Sequence, residues 1–182
     1  MERREAIKLT SLFLGGTIIG SEFFLTGCAS DRSSEALISE ADIHFLNEVG
    51  ETILPETERS PGAKAANIGE FMSLMVKDCY SEEEQEIFTS GIEKLNDRAG
   101  KLFSSGFIDL KPAQKHELLV LLDEEASGRE EHYFTMIKQL TILGYFTSQP
   151  GTTKALRYNP IPGEFIGCIP YEKGDKIFAN RV

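Results

Sequence analysis

Residues 81–103 read SEEEQEIFTSGIEKLNDRAGKLF, and the reading of this stretch decides the fold class. Ser81 followed three residues later by Glu84 is a capping box. The hydroxyl accepts the Glu84 amide and the carboxylate returns to the Ser81 amide, so orphan donors at a helix start are satisfied. From there Ile87, Phe88, Ile92, Leu95, Ala99 and Leu102 recur at three- and four-residue spacing, which gathers them on one face of a helix. A strand would need alternation, and these positions do not alternate.

The same logic extends to both sides. Ser39 with Asp42 gives a second S-x-x-D start, followed by Ile43, Leu46, Val49 and Ile53, and Pro55 closes that helix. Residues 55–62, PETERSPG, form a turn-rich loop. Beyond it Ile68, Phe71, Met72, Met75, Val76 and Cys79 mark one face of another helix. Pro112 suits a helical first turn, where its missing N–H is no loss, with Leu118, Leu119, Leu121 and Leu122 as the buried side. After Ser127-Gly128 come Tyr133, Phe134, Ile137, Leu140 and Thr141, and Gly144 is placed to end that helix. Then Gln149-Pro150-Gly151, Asn159-Pro160-Ile161-Pro162-Gly163 and Ile169-Pro170 follow too closely for long regular elements. The expectation is an all-α fold: a single domain of about five helices, with residues 145–182 lying as an irregular, extended tail. Apolar stripes of this kind are core faces before they are cofactor pockets.

Composition narrows the function. In 182 residues, 19 Lys and Arg face 29 Asp and Glu, a formal net charge of −10, which opposes any long-range attraction to nucleic-acid phosphates. The three histidines, His44, His116 and His132, are far apart. There is no H-E-x-x-H, Glu-x-x-His, G-x-x-x-x-G-K-[ST], G-x-G-x-x-G or C-x-x-C-H, so no zinc, di-iron, nucleotide or haem reading is supported. Glu82-Glu83-Glu84, Asp123-Glu124-Glu125 and Glu130-Glu131 read as solvated helix ends, and His132 as a surface or core-edge residue without a catalytic partner nearby. No catalytic, cofactor-binding or metal site is expected on this chain.

Residues 1–27 read as a signal peptide: a charged start, an apolar run from Leu9 to Ser21, then small residues before Cys28. That run is shorter than the roughly 20 residues a spanning helix needs, and Gly15, Gly16 and Gly20 weaken it as a buried helix. Arg3-Arg4 followed by Glu5-Ala6-Ile7-Lys8 resembles the twin-arginine export signal, with Ala6 where Phe is usual, so the general secretory route stays open. Leu25-Thr26-Gly27-Cys28 resembles a bacterial lipobox, with Cys28 as the acylated residue of a membrane-anchored, periplasm-facing lipoprotein. Residues 28–38 are then a lipidated tether and 39–182 the helical domain. Ala29 after Cys28 favours the outer membrane in a cell with two membranes. Removing residues 1–27 takes equal numbers of acids and bases, so the acidity belongs to the exported part.

Two cysteines remain, Cys79 and Cys168. In an oxidising compartment they either bridge each other or one of them pairs with another chain, and the sequence leaves both open. Tyr145, Phe146 and Phe165 gather large apolar side chains where regular-structure signals fail. They are candidates either for a partner interface or for stapling the tail to the bundle.

Three groups of residues carry a resemblance: Leu54-Pro55-Glu56-Thr57 with Pro61-Gly62-Ala63, Gly144-Tyr145-Phe146-Thr147-Ser148, and Pro162-Gly163-Glu164-Phe165-Ile166-Gly167-Cys168. Together they resemble the gluconate 2-dehydrogenase subunit 3 family from about Ser39 to Tyr171, departing by an insertion-like Glu58-Arg59-Ser60. The resemblance implies the small, non-catalytic subunit of an exported flavin-dependent sugar or polyol dehydrogenase. Its partner would be a glucose-methanol-choline type flavoprotein carrying the FAD and the substrate pocket, often with a cytochrome c subunit. A twin-arginine signal on the small subunit would export the complex. The alternative is a free-standing envelope lipoprotein serving as a binding or scaffold module. The lipobox gives the first test: mass spectrometry of the membrane-extracted protein should show a chain starting at acylated Cys28, and Cys28→Ala should release it from the membrane. A mature chain retaining Met1 overturns this assignment.

Overall fold

The computed structural model describes residues 36–161, 163 and 167–180. Within them lie five α-helices: α1 (Glu40–Ile53), α2 (Ile68–Cys79), α3 (Glu82–Phe103), α4 (Pro112–Ala126) and α5 (Tyr133–Thr147). Short 3₁₀ turns occupy Ala63–Ala66 and Phe107–Asp109, and one π turn occupies Gly151–Ala155. No strand occurs among the described residues, which contain only isolated bridges between Thr57 and Ser60 and between Arg157 and Phe178. The all-α fold is as the periodicity predicts.

Both predicted caps form. Asp42 N donates to Ser39 Oγ at 3.2 Å and Ser39 N to Asp42 Oδ2 at 3.3 Å. Glu84 N donates to Ser81 Oγ at 3.3 Å and Ser81 N to Glu84 Oε2 at 2.8 Å. A reciprocal pair of this kind starts a helix at a fixed residue, so α1 and α3 begin where the sequence places them. Ile38, just before the first cap, is already buried, so packing begins one residue before the expected domain boundary.

The stripes meet in one core, with four local corrections. Phe88, Ile92, Leu95 and Ala99 of α3 are buried, whereas Leu102 is exposed at the edge of the stripe, its neighbour Phe103 being the residue of that last turn that packs against the core. On α4, Leu118, Leu119 and Leu122 are buried and Leu121 is largely exposed. At 100° per residue it falls off the arc shared by Leu118, Leu122 and Ala126. Cys79, read as part of the α2 stripe, is exposed at the helix end. Gly144 does not end α5, which continues to Thr147. The glycine is there for close approach: a Cβ on it would lie 2.5 Å from Cδ1 of Phe71 on α2. Gly91 of α3 does the same on another side, where a Cβ would meet Tyr133 Cβ at 2.3 Å. With these two glycines as contact points, α5 packs against each of the other four helices.

One ionic cluster braces α1. Glu48 accepts from Lys64 of the first 3₁₀ turn and from Lys115 of α4 at 3.0 Å. The Lys115 ammonium also lies 5.4 Å from the centroid of Phe107, whose ring meets Phe45 of α1 at 5.4 Å. Desolvation pushes the Glu48 carboxyl up, and hydrogen bonds and charge from the two lysines outweigh it, so its pKa is lowered. A lowered folded-state value means that the stabilisation is present above the ordinary carboxylate range and is lost as pH falls through the folded value. Glu48→Gln should therefore melt below the wild type at neutral pH, and the gap should close in acid; thermal melts across that range check it. A gap independent of pH would contradict an ionic role.

Candidate functional site

The last turn of α1 prepares the site. Glu51 accepts Glu56 N on one oxygen and Lys64 N on the other, both at 2.9 Å, so its carboxylate fills the loop between α1 and the 3₁₀ turn. Gly62 faces this carboxylate, and a Cβ there would sit 2.1 Å from Oε1. Only glycine fits. Ala63 N donates to Leu54 O at 2.9 Å and closes the loop. Outside this closure Thr57 and Ser60 pair through their backbones at 2.9 and 3.4 Å, leaving Glu58 and Arg59 as a projecting tip.

Two other segments converge on that loop. From α5, the buried Tyr145 donates its hydroxyl to Pro61 O. The chain then turns tightly: Ser148 Oγ donates to Tyr145 O at 2.6 Å, and a Cβ on Gly151 would lie 1.8 Å from that same carbonyl. From the tail, Gly174 O accepts Arg59 Nη2 at 2.8 Å, while Lys176 Nζ donates to Arg59 O at 3.2 Å and to Lys154 O. The tail also closes on itself. Arg157 N donates to Ile177 O at 2.8 Å and Ala179 N to Arg157 O at 2.9 Å, and the Arg157 guanidinium lies 4.7 Å from the Phe178 centroid. Asn159 and Asn180 exchange hydrogen bonds at 3.0 and 2.5 Å. The expected extended tail is thus replaced over 145–155 by the end of α5 and a π turn, and is irregular only beyond them.

Each candidate residue now has a place. Tyr145 is a core residue, 3% exposed, because its ring closes the space under the loop; this excludes it from a surface. Its neighbour Phe146, in edge contact at 5.2 Å between centroids, is 37% exposed. Cys79 and Cys168 are both exposed and not bonded to each other. Cys28, Arg3, Arg4 and Phe165 lie outside the described residues. Among the described residues no three His, Cys, Asp or Glu side chains come together as a metal site, and no helix is long and apolar enough to cross a membrane.

The sequence reading missed one functional side chain. His132 is the N-cap of α5, with Nδ1 accepting Phe134 N at 3.3 Å and its ring tilted 31° to that of Tyr133, centroids 4.4 Å apart. Burial, then the charge of Arg129, lowers its pKa against the opposing pull of Glu125. The lowered pKa favours the neutral ring, and the cap uses the tautomer whose Nδ1 is an acceptor. The groove between α1 and α4, around Thr52 and His116, has its neighbouring charges already paired, Lys115 with Glu48 and Lys138 with Asp123 at 2.6 Å.

Fold and site together define a small all-helical domain whose distinguishing residues brace a loop, a helix end and a tail against one another. The chain belongs to the gluconate 2-dehydrogenase subunit 3 family, whose model matches residues 40–163, a family named for a subunit of a dehydrogenase complex. The matched span holds the braced loop, all five helices and the π turn. No curated protein and no solved structure matches the chain.

The burial of Tyr145 sets the energetic expectation. Tyr145→Phe, which removes only the hydroxyl donated to Pro61 O, should cost about 1 kcal/mol, and Tyr145→Ala about 3–5 kcal/mol. Chemical denaturation of the purified full chain measures both. Equal losses for the two variants would mean that the ring contributes nothing to the core.

Proposed function

We propose that this chain is the non-catalytic small subunit of a flavin-dependent sugar or polyol dehydrogenase complex, stabilising and co-exporting a catalytic flavoprotein. Family membership carries the reading, since the family is that of a dehydrogenase subunit. The site's chemistry agrees with it. The side chains that build the braced corner bind backbone of their own chain, and this fits a role in holding shape for another protein.

On this reading FAD and the substrate pocket belong to a glucose-methanol-choline type partner, with a cytochrome c as a further subunit receiving electrons. The complex faces the periplasm, held at a membrane by lipid on Cys28. Arg3 and Arg4 direct both chains, because a folded, flavin-loaded partner without a signal of its own crosses only by a route for folded proteins.

Extraction of the native membrane with mild detergent should recover a flavin-bearing polypeptide with this chain. Replacing Arg3 and Arg4 together by Lys should strand both in the cytoplasm. Recovery of this chain alone would favour the free-standing envelope lipoprotein, and undiminished periplasmic dehydrogenase activity in the double variant would remove the carrier role.

A further inference from the structure

The turn between α4 and α5 is closed by a side chain that can take up a proton. His132 stands at the N-cap of α5, a position usually held by Ser, Thr, Asp or Asn, whose oxygens accept an amide hydrogen bond throughout the range near neutral pH. Here the acceptor is an imidazole nitrogen: Nδ1 receives Phe134 N at 3.3 Å. The rest of the turn is tied to the same few residues. Ala126 O accepts Arg129 N at 2.9 Å, Arg129 O accepts His132 N at 3.4 Å and Thr135 Oγ1 at 2.9 Å, and His132 O accepts Met136 N at 3.2 Å. Phe134, whose amide the imidazole holds, is buried in the core, and the Tyr133 side chain beside it occupies the space that Gly91 leaves open. The imidazole is partly buried and borders an open hollow lined by Gly128, Arg129, Glu130 and Glu131, so a proton can reach it from water.

We infer that His132 is a proton-operated latch on the start of α5, closed while the imidazole is neutral and open once it carries a charge. Three effects of protonation act in the same direction. Nδ1 gains a hydrogen, so donor faces donor and the Phe134 amide loses its acceptor. The new positive charge lies at the positive end of the helix dipole. It also adds to two nearby cations, Lys94 of α3 and Arg129 of the turn. The group that opposes them is Glu125 at the end of α4, and its carboxylate is already bound by Arg98 of α3. Glu130 and Glu131 are exposed in the turn, and burial raises the pKa of Tyr133, which keeps that neighbouring phenol neutral in acid. Burial and the cations outweigh Glu125, so the pKa of His132 lies below the ordinary imidazole value. With the folded-state value lowered, the latch contributes fully above the ordinary range and is lost as pH falls through the folded value. Acid therefore opens it, at the start of the helix that packs against the other four. The inference does not depend on the subunit reading above.

The test is NMR of the purified full chain from about pH 7.5 to about pH 4. Two signals are followed: the imidazole nitrogens of His132, and the hydrogen exchange of the Phe134 and Met136 amides, corrected for the pH dependence of exchange in a free peptide. At the upper end the ring should carry its hydrogen on Nε2, with a bare Nδ1. Below the His132 midpoint, itself lower than that of a free imidazole, protection of the Phe134 amide should fall by about tenfold. His132→Asn, which caps through an oxygen that does not titrate, should keep that amide protected through the range. Carboxylates titrate in both chains, so the difference between them isolates the imidazole. His132→Ala should exchange fast at every pH, without a step. An acid loss of protection as large in His132→Asn as in the wild type would overturn the proposal. So would a neutral ring protonated on Nδ1, a His132 midpoint above the free value, or a Phe134 amide whose protection does not change across the His132 titration.

Discussion

Everything in this domain leans on α5. It touches the other four helices while keeping one side exposed, and its closest approaches need backbone-to-ring contact. Gly144 supplies this from α5 toward Phe71, and Gly91 from α3 toward Tyr133. Each fully buried side chain of the size of Phe134, Ile137 or Leu140 contributes about 1.5–3 kcal/mol by leaving water, so one element unites the core. The single buried polar side chain of that helix, Thr141, is satisfied within it, donating to Ile137 O at 2.8 Å. No second chain of hydrogen bonds is needed to keep α5 central.

From the far end of α5 the constraint passes outward through Tyr145. Its hydroxyl fixes Pro61 O, Pro61 lies beside the Gly62 that receives the Glu51 carboxylate, and Glu51 belongs to the last turn of α1. The loop is therefore held from α1 and from α5. Glu58-Arg59-Ser60, read from the sequence as insertion-like, does not disturb that closure. It is accommodated beyond the Thr57–Ser60 pairing, and there Arg59 acquires a use of its own by binding Gly174 O in the tail. Contacts from charged side chains at such exposed positions contribute little energy each. Several short donor–acceptor contacts together with one cation–π contact can nonetheless define a path for an irregular segment.

How much of this was legible in the sequence varies by kind of signal. Caps are local chemistry, two side chains and two amides within four residues, so Ser39 and Ser81 could be read directly. Core stripes depend on distant elements: Leu102 and Leu121 have the right neighbours in sequence but lie beside the packed arc, and nothing local reveals how wide an arc the opposing helices cover. Gly144 has two physical uses, left-handed backbone and close approach, and a single sequence does not distinguish them. His132 was passed over because histidine is an uncommon cap; its position immediately before Tyr133, Phe134 and the following apolar run was the available signal. Tyr145 was open between core and surface for a related reason. With its helix expected to end at Gly144, the tyrosine had no assigned face, and the true end at Thr147 turns it inward.

The acidity of the chain takes on a structural meaning beside this arrangement. Net charge does not decide the fold, but it does decide which surfaces meet. Glu82, Glu83, Glu84 and Glu86 crowd the exposed start of α3, and Glu124, Glu125, Glu130 and Glu131 the exposed end of α4 and the turn after it. Two copies approaching through these regions repel each other, and an apolar partner gains nothing there. The stretch between Lys138 and Lys154 has neither handicap. Charge over the acidic helix ends and its absence along α5 thus act in the same direction, keeping most of the domain in water while one face stays compatible with a dry contact.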